Sequence, residues 1–199
     1  MIKAFVLDWG NVIALMDTHG FAKVIAERHG ITADQFHTVE VAHRIRNNAG
    51  ILTDLQYVKA VNKDLGLRLK KKEFFKEYLE GFVKMNSELV EIIKKLKSSY
   101  KIIMLTNNNE NFMKYIKTVE FSHLFDRIYN SYEHKMAKPD PKFFNKALKE
   151  SKLKAEECIF VDDSENNIKA AKELGFKTIH YKSLEDFVVR IASMGIKLK

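Results

Sequence analysis

Four short polar clusters in this 199-residue chain have residue types and spacing that could do chemistry. In the first, Asp8 ends the largely apolar run 2–7 and is followed at once by Trp9, Gly10 and Asn11. In the second, Thr106 and Asn107 follow the apolar run 102–105; in the third, Lys138 and Pro139 precede Asp140-Pro141; in the fourth, Asp162-Asp163-Ser164 follows the apolar run 159–161. A carboxylate at the tip of a buried strand has little structural use, and it can serve as a nucleophile or hold a cation. The Asp162-Asp163 pair offers hard oxygen ligands of the kind Mg²⁺ takes. Lys138 supplies a point positive charge, and Thr106 and Asn107 supply hydrogen-bond donors for an anion. Taken singly, the clusters have plainer accounts. Asp162-Asp163-Ser164 can be a turn and helix cap, Thr106-Asn107 an ordinary loop start, and Lys138 a surface lysine. Their occurrence together, each at an element boundary, is the more specific signal.

The elements that must position them follow from the apolar pattern. Short apolar runs at residues 3–7, 101–105, 127–130, 158–161 and 177–181 alternate with helical periodicity, which predicts an α/β fold with a parallel sheet between helices. Ser87, Asp140 (before Pro141), Ser164 and Ser183 stand where helix N-caps are expected, and Gly175 where a helix should stop. Ligands of such sheets bind outside the carboxyl ends of the strands, where all four clusters fall. Residues 16–85 break the alternation. They show amphipathic helical segments punctuated by glycines and no convincing strand, which predicts a helical sub-domain inserted after the first strand as a lid. The expected division is a core of residues 1–15 and 85–199 and a cap of residues 16–84.

Bulk properties exclude some functions. The net charge of +8 rests mainly on lysines set beside acids, the pattern of a solvated surface, and no basic run is interleaved with aromatics for base stacking. A nucleic-acid partner is therefore not expected, while a mildly positive field favours a small anionic substrate. Cys158 is the sole cysteine, so no disulfide forms within the chain. The first apolar run is too short for a signal peptide and no stretch approaches a membrane span, which gives the expectation of a soluble cytoplasmic protein with no membrane partner. Oligomeric state is left open.

The segments FVLDWGNVI, IIMLTNNN, KPDP and IFVDDSENNIKAAKELGFKTIHY, in this order, resemble the signatures of the haloacid dehalogenase superfamily, whose members are mostly phosphatases. The resemblance covers essentially the whole length, and it implies a Rossmann-like three-layer core with an inserted helical cap. The Asp-x-Gly-Asn-Val form of the first motif is similar to a subset that includes sugar-phosphate phosphatases, notably those resembling α-glucose-1-phosphate phosphatase. The implied activity is Mg²⁺-dependent hydrolysis of a small phosphorylated metabolite, a sugar phosphate foremost. In the implied site Asp8 is the nucleophile that forms an aspartyl-phosphate. Thr106, Asn107 and Lys138 bind the phosphoryl group, and Asp8, Asp163, the Gly10 carbonyl and the nearby Asp162 hold the metal. Such a site must overcome the repulsion between a carboxylate and a phosphate dianion, on the order of 8 kcal/mol at 4 Å for an effective dielectric near 20, so a cation and a lysine are both called for.

Gly10 departs from the family pattern, and Asn167 stands where many relatives carry another Asp. Most family phosphatases have at position 10 an Asp that protonates the leaving oxygen, help worth ~10²–10⁴ in rate. Three readings follow. Catalysis can persist on esters with good leaving groups, or with help from the cap, where His19, His43, Arg44 and Arg46 are candidates. The chain can be a catalytically weak phosphate-binding or regulatory relative. Or it can be a 2-haloacid dehalogenase, which also lacks that Asp but needs no metal, so the Asp162-Asp163 pair speaks against it.

Overall fold

The computed structural model describes residues 1–198. The chain runs β1 (Ala4–Leu7), β2 (Ala14–Met16), α1 (Thr18–His29), α2 (Ala33–Asn48), α3 (Asp54–Leu65), α4 (Lys71–Gly81), β3 (Val83–Met85), α5 (Ser87–Lys97), β4 (Lys101–Thr106) and α6 (Glu110–Ile116). It continues with β5 (Arg127–Asn130), α7 (Ser131–His134), α8 (Pro141–Ser151), β6 (Cys158–Asp162), α9 (Glu165–Glu173), β7 (Lys177–His180) and α10 (Leu184–Ser193). Five strands form one parallel sheet in the order β5-β4-β1-β6-β7. The connection passes from β1 leftward to β4 and β5, then returns across to β6, which makes the gap between β1 and β6 the switch point where ligands of such sheets sit.

Alternation along the strands builds the layers. Phe5, Leu7, Ile102, Met104, Ile159 and Val161 join Leu89, Ile93, Phe187 and Ile191 of α5 and α10 in one apolar core. The intervening residues Ala4, Val6, Ile103, Leu105, Cys158 and Phe160 face the other way and pack on Phe143, Phe144 and Ala147 of α8 and Ala171 of α9. Period-two side chains buried on both faces require helices on both faces, so the fold is the expected three-layer α/β arrangement.

Between β2 and β3 lie the four helices α1–α4. Their shared core is aromatic, with Phe21 in edge contact with Phe36, Phe74, Tyr78 and Phe82. The helix ends are set locally. Thr32 and Thr53 each form a capping box with the glutamine three residues on, and Gly30 and Gly66 close α1 and α3 in the left-handed conformation. The expectation of no strand between residues 16 and 85 is corrected at both ends. Met16 and Val83–Met85 belong to a two-stranded antiparallel ribbon, β2 with β3, through which the chain enters and leaves the helices. Three-residue strands carry no readable alternation, which is why the pattern concealed them. Two caps also differ from expectation. Asn86, not Ser87, caps α5, since its carboxamide also reaches Val12 O and the Tyr181 hydroxyl, and the Ser164 hydroxyl makes no capping bond.

Candidate active site

The sheet register sets the first three groups side by side. Leu7 of the central strand is level with Met104 of β4 and Val161 of β6, so Asp8 emerges between the ends of its two neighbours, beside Thr106 and Asp162. The Asp8 N–H still donates to Val161 O at 2.9 Å before the chain turns. The turn is anchored by the fully buried Trp9, whose carbonyl accepts from Ile13 and Ala14, and it passes through Asn11 at φ 52°. Asn tolerates this left-handed conformation better than most residues with a side chain. From there Asn11 Nδ2 donates to Asp163 Oδ2 at 3.0 Å, so the loop after β1 steadies the acid after β6.

Lys138 reaches the centre from the loop before α8. Its ammonium lies 2.8 Å from Asp8 Oδ1 and 2.6 Å from Asp162 Oδ2, with only 1% of the side chain exposed. Burial pulls its pKa down, but Asp8 and Asp162 overcome that and leave it raised, so the charge persists at neutral pH. Asp8 Oδ1 also accepts from the Trp9 N–H at 2.7 Å, which leaves Oδ2 as its free atom. Burial is the main reason the Asp8 carboxyl is pushed up to about 7; Lys138 opposes the rise, and Asp162 and Asp163 add to it.

The remaining predicted residues divide into groups that face the cavity and groups that hold others in place. Asp8, Gly10, Thr106, Asn107, Lys138 and Asp163 line a single cavity of about 160 Å³, joined from the helical insert by Arg44, Asn48 and Tyr78. Asp162 is fully buried and does not line it. Its oxygens accept from Lys138 Nζ, from the Ser164 N–H and twice from Asn167 Nδ2, which fills about the four lone-pair positions a carboxylate has. Those bonds give Asp162 a positioning task toward Lys138, and one of its oxygens still lies within 4.8 Å of oxygens of Asp8 and Asp163. Asn107, expected to donate to the substrate, has another task as well. Its Nδ2 donates to Lys138 O at 2.8 Å and its Oδ1 accepts from the Lys138 N–H at 2.9 Å, so the side chain clamps the lysine's backbone.

Sequence reasoning passed over Asn108. Its Nδ2 donates to Thr106 Oγ1 at 2.7 Å, which occupies the hydroxyl as acceptor and leaves its own proton to be donated elsewhere. The run of three asparagines after β4 was the available signal. Among the cap candidates only Arg44 lines the cavity; His19 and Arg46 are exposed, and His43 pairs with Asp64.

The arrangement suits a cation. One oxygen from each of Asp8, Asp162 and Asp163 lies within 4.8 Å of the others, and the Lys138 ammonium pairs with Asp8 and Asp162 of the three. At position 10 the direction a Cβ would take is filled by Met16 Sδ at 3.1 Å, so a thioether occupies the space beside the missing side chain.

A family model described as haloacid dehalogenase-like hydrolase matches residues 2–175. D-ribitol-5-phosphate phosphatase of Bacteroides thetaiotaomicron is 28% identical over 198 residues, covering 94% of this chain and 95% of the relative. A solved structure of a haloacid dehalogenase family enzyme from the same organism, in complex with magnesium and inorganic phosphate, matches with a TM-score of 0.78 at 25% identity, covering 96% of this chain and 99% of that one. L-2-haloacid dehalogenase from Xanthobacter autotrophicus matches with a TM-score of 0.66 at 16% identity, covering 99% of this chain and 85% of that one, a likeness of fold.

Proposed function

This chain belongs to the haloacid dehalogenase-like hydrolase family, and from that premise we propose that it is a Mg²⁺-dependent phosphatase of small phosphorylated metabolites, sugar or sugar-alcohol phosphates foremost, with Asp8 as nucleophile. The observation that carries the reading is the convergence of Asp8, Thr106, Lys138 and Asp163 on one cavity at the switch point of the sheet. The relatives support it, one being named for ribitol 5-phosphate hydrolysis and another solved with magnesium and inorganic phosphate.

In the proposed reaction Asp8 Oδ2 attacks phosphorus in line with the ester oxygen. The P–O bond to the leaving group breaks, and the aspartyl-phosphate is then cleaved by water to inorganic phosphate and free Asp8. Lys138 holds Oδ1, turns Oδ2 toward the substrate and offsets the negative charge that accumulates. Thr106, with its oxygen engaged by Asn108, donates its proton to a phosphoryl oxygen. Asp8, Asp163 and the Gly10 carbonyl would hold the Mg²⁺, which supplies positive charge against the phosphoryl oxygens; Asp162 fixes Lys138 beside it. Gly10 provides no acid, so the leaving oxygen takes its proton from water, and esters of more acidic alcohols react faster.

The test is phosphate release from a panel of sugar, polyol and nucleoside phosphates with Mg²⁺, in the wild type and in Asp8→Asn. Release that needs Mg²⁺ and disappears in the variant is the expected result. A wild type that binds inorganic phosphate yet releases none from any ester would transfer the site to a binding role, the reading that Gly10 and Met16 favour.

A further inference from the structure

Asp163 is the one carboxylate of the acidic group that Lys138 does not pair with. Among the described residues its side chain has a single hydrogen-bonded partner, the Asn11 amide, whose Nδ2 donates to Oδ2 at 3.0 Å. The backbone of Asp163 is held separately, since His180 Nε2 donates to its carbonyl at 2.9 Å. The end of β6 thus fixes where the residue stands, and Asn11 acts on where its carboxylate points. Asn11 is itself braced. Its Oδ1 accepts from the Met16 N–H at 3.3 Å, and its own N–H donates to Ala14 O at 2.7 Å. A main-chain N–H only donates and a carboxylate only accepts, so these two neighbours fix the orientation of the amide as well as its place.

Position 11 makes three demands that few residue types meet together. Its backbone is left-handed, at φ 52°, a conformation that glycine adopts freely and asparagine and aspartate adopt more readily than most others. Glycine there would have no side chain to reach Asp163. Aspartate could accept from Met16 but would set a second carboxylate against Asp163 Oδ2. Asparagine alone of the three offers an acceptor to one neighbour and a donor to the other. Asn11 and Asp163 both line the cavity that holds Asp8, so the amide works at the acidic group itself. A hydrogen bond to one oxygen of a metal-binding carboxylate holds that group in orientation, and less ordering is left for the metal to impose. Mg²⁺ is more exacting in this respect than Ca²⁺, because it demands near-ideal octahedral geometry and Ca²⁺ does not.

We propose that Asn11 is a positioning residue that sets the affinity of this site for Mg²⁺ by aiming the Asp163 carboxylate. The inference rests on the Mg²⁺-dependent reading of the site and adds to it a residue that tunes the metal. The experiment measures Mg²⁺ and Ca²⁺ binding to the full chain by isothermal titration calorimetry, in the wild type, Asn11→Gly and Asn11→Ala. Phosphate release against Mg²⁺ concentration is followed alongside. Glycine eases the left-handed backbone and alanine strains it, so a loss common to both comes from the missing amide and not from the turn. Both variants should bind Mg²⁺ ~10-fold more weakly, the low end of what removing a partner of a metal ligand costs, because Asn11 is exposed. Ca²⁺, with its flexible coordination, should weaken by ~3-fold or less. In turnover, the half-saturating Mg²⁺ concentration should rise more than kcat at saturating Mg²⁺ falls. A Mg²⁺ loss below ~3-fold in Asn11→Gly, or Ca²⁺ weakened as much as Mg²⁺, would overturn the positioning role. A wild type that binds Mg²⁺ yet hydrolyses no ester ends the phosphatase reading alone, and the calorimetry still decides the role of Asn11. A wild type that binds no Mg²⁺ overturns both.

Discussion

Asp8→Asn should abolish phosphate release and, in the metal-free protein, stabilise the fold. The Asp8 carboxyl lies above its ordinary value of 3.8, at about 7, because it is buried beside Asp162 and Asp163 with only Lys138 opposing. A raised carboxyl contributes stability that is fully present below its unfolded value and disappears as pH rises through the folded one. Between pH ~4 and pH ~8 the metal-free wild type should therefore lose about 4 kcal/mol at this position, from a shift of about three units at ~1.4 kcal/mol each. Asparagine has nearly the same shape and nothing to ionise, so it loses none of this. For a chain of this length ~1 kcal/mol moves Tm by ~2–4 °C, which places the metal-free variant about 8–16 °C above the wild type at pH 8 and near it at pH 4.5. The assay is thermal unfolding followed by circular dichroism in EDTA across that range, repeated with Mg²⁺. The cation should stabilise the wild type more than the variant at pH 8 and narrow or reverse the gap. A variant that melts below the wild type in EDTA at pH 8 would refute the account of Asp8 as a carboxylate held at an electrostatic disadvantage for use.

Three further predictions come from the neighbouring contacts. Gly10→Asp combined with Met16→Ala, which clears the sulfur 3.1 Å from the new Cβ, should raise kcat on esters of weakly acidic alcohols by up to ~10² while changing activated aryl esters little; a uniform effect across leaving groups would contradict the role given to position 10. Asp162→Ala strips a fully buried ammonium of one of its two carboxylates and should cost ~3–5 kcal/mol in urea unfolding, whereas a loss below ~1 kcal/mol would mean that Lys138 does not depend on it. Asp54→Ala removes the acceptor shared by Asn47 on α2 and Asn111 on α6. Amide exchange at Asn111 should accelerate and KM rise more than kcat falls, and unaltered exchange there would show that the contact does not tie the insert to the core.

The parts of this molecule legible in the sequence are those with a strong local signature. The strands β1, β4, β5, β6 and β7 are short apolar runs, and Asp8, Thr106 and Asp162 stand where those runs stop. Lys138 is marked by the Pro-Asp-Pro that follows it, and Asp140 does accept from the Lys142 N–H as the cap of α8. What escaped reading depends on partners distant in sequence. The amide of Asn11 gains meaning from an acid 152 residues away, and that of Asn107 from a lysine 31 residues on. Asp162 and Asp163 are adjacent acids in sequence, but a one-residue step at the end of β6 turns one inward to four hydrogen bonds from three donor groups and leaves the other at the cavity. Tyr78 resembles any aromatic on the buried face of an amphipathic helix, and only the absence of a partner for its hydroxyl distinguishes it.

The position of the insert and the position of Lys138 are mechanically joined at Asn107. Its side chain clamps the Lys138 backbone from both sides, while its own carbonyl accepts from Asn48 at the carboxyl end of α2. The same corner is fastened again by the Ser131 hydroxyl donating to Asn48 O and by Lys135 Nζ donating to Gly50 O. Lifting the insert away would therefore break the Asn48 contact to Asn107, with the Asn107 clamp on Lys138 the next link. The Asn48 contact thus joins the seating of the insert to the segment that carries Lys138. Asn48→Ala cuts that link without touching the clamp. It should raise KM and leave the two Lys138 hydrogen bonds to Asn107 intact in a crystal structure of the variant; if Lys138 also shifts away from Asp8, closure and lysine placement are one event rather than two coupled ones.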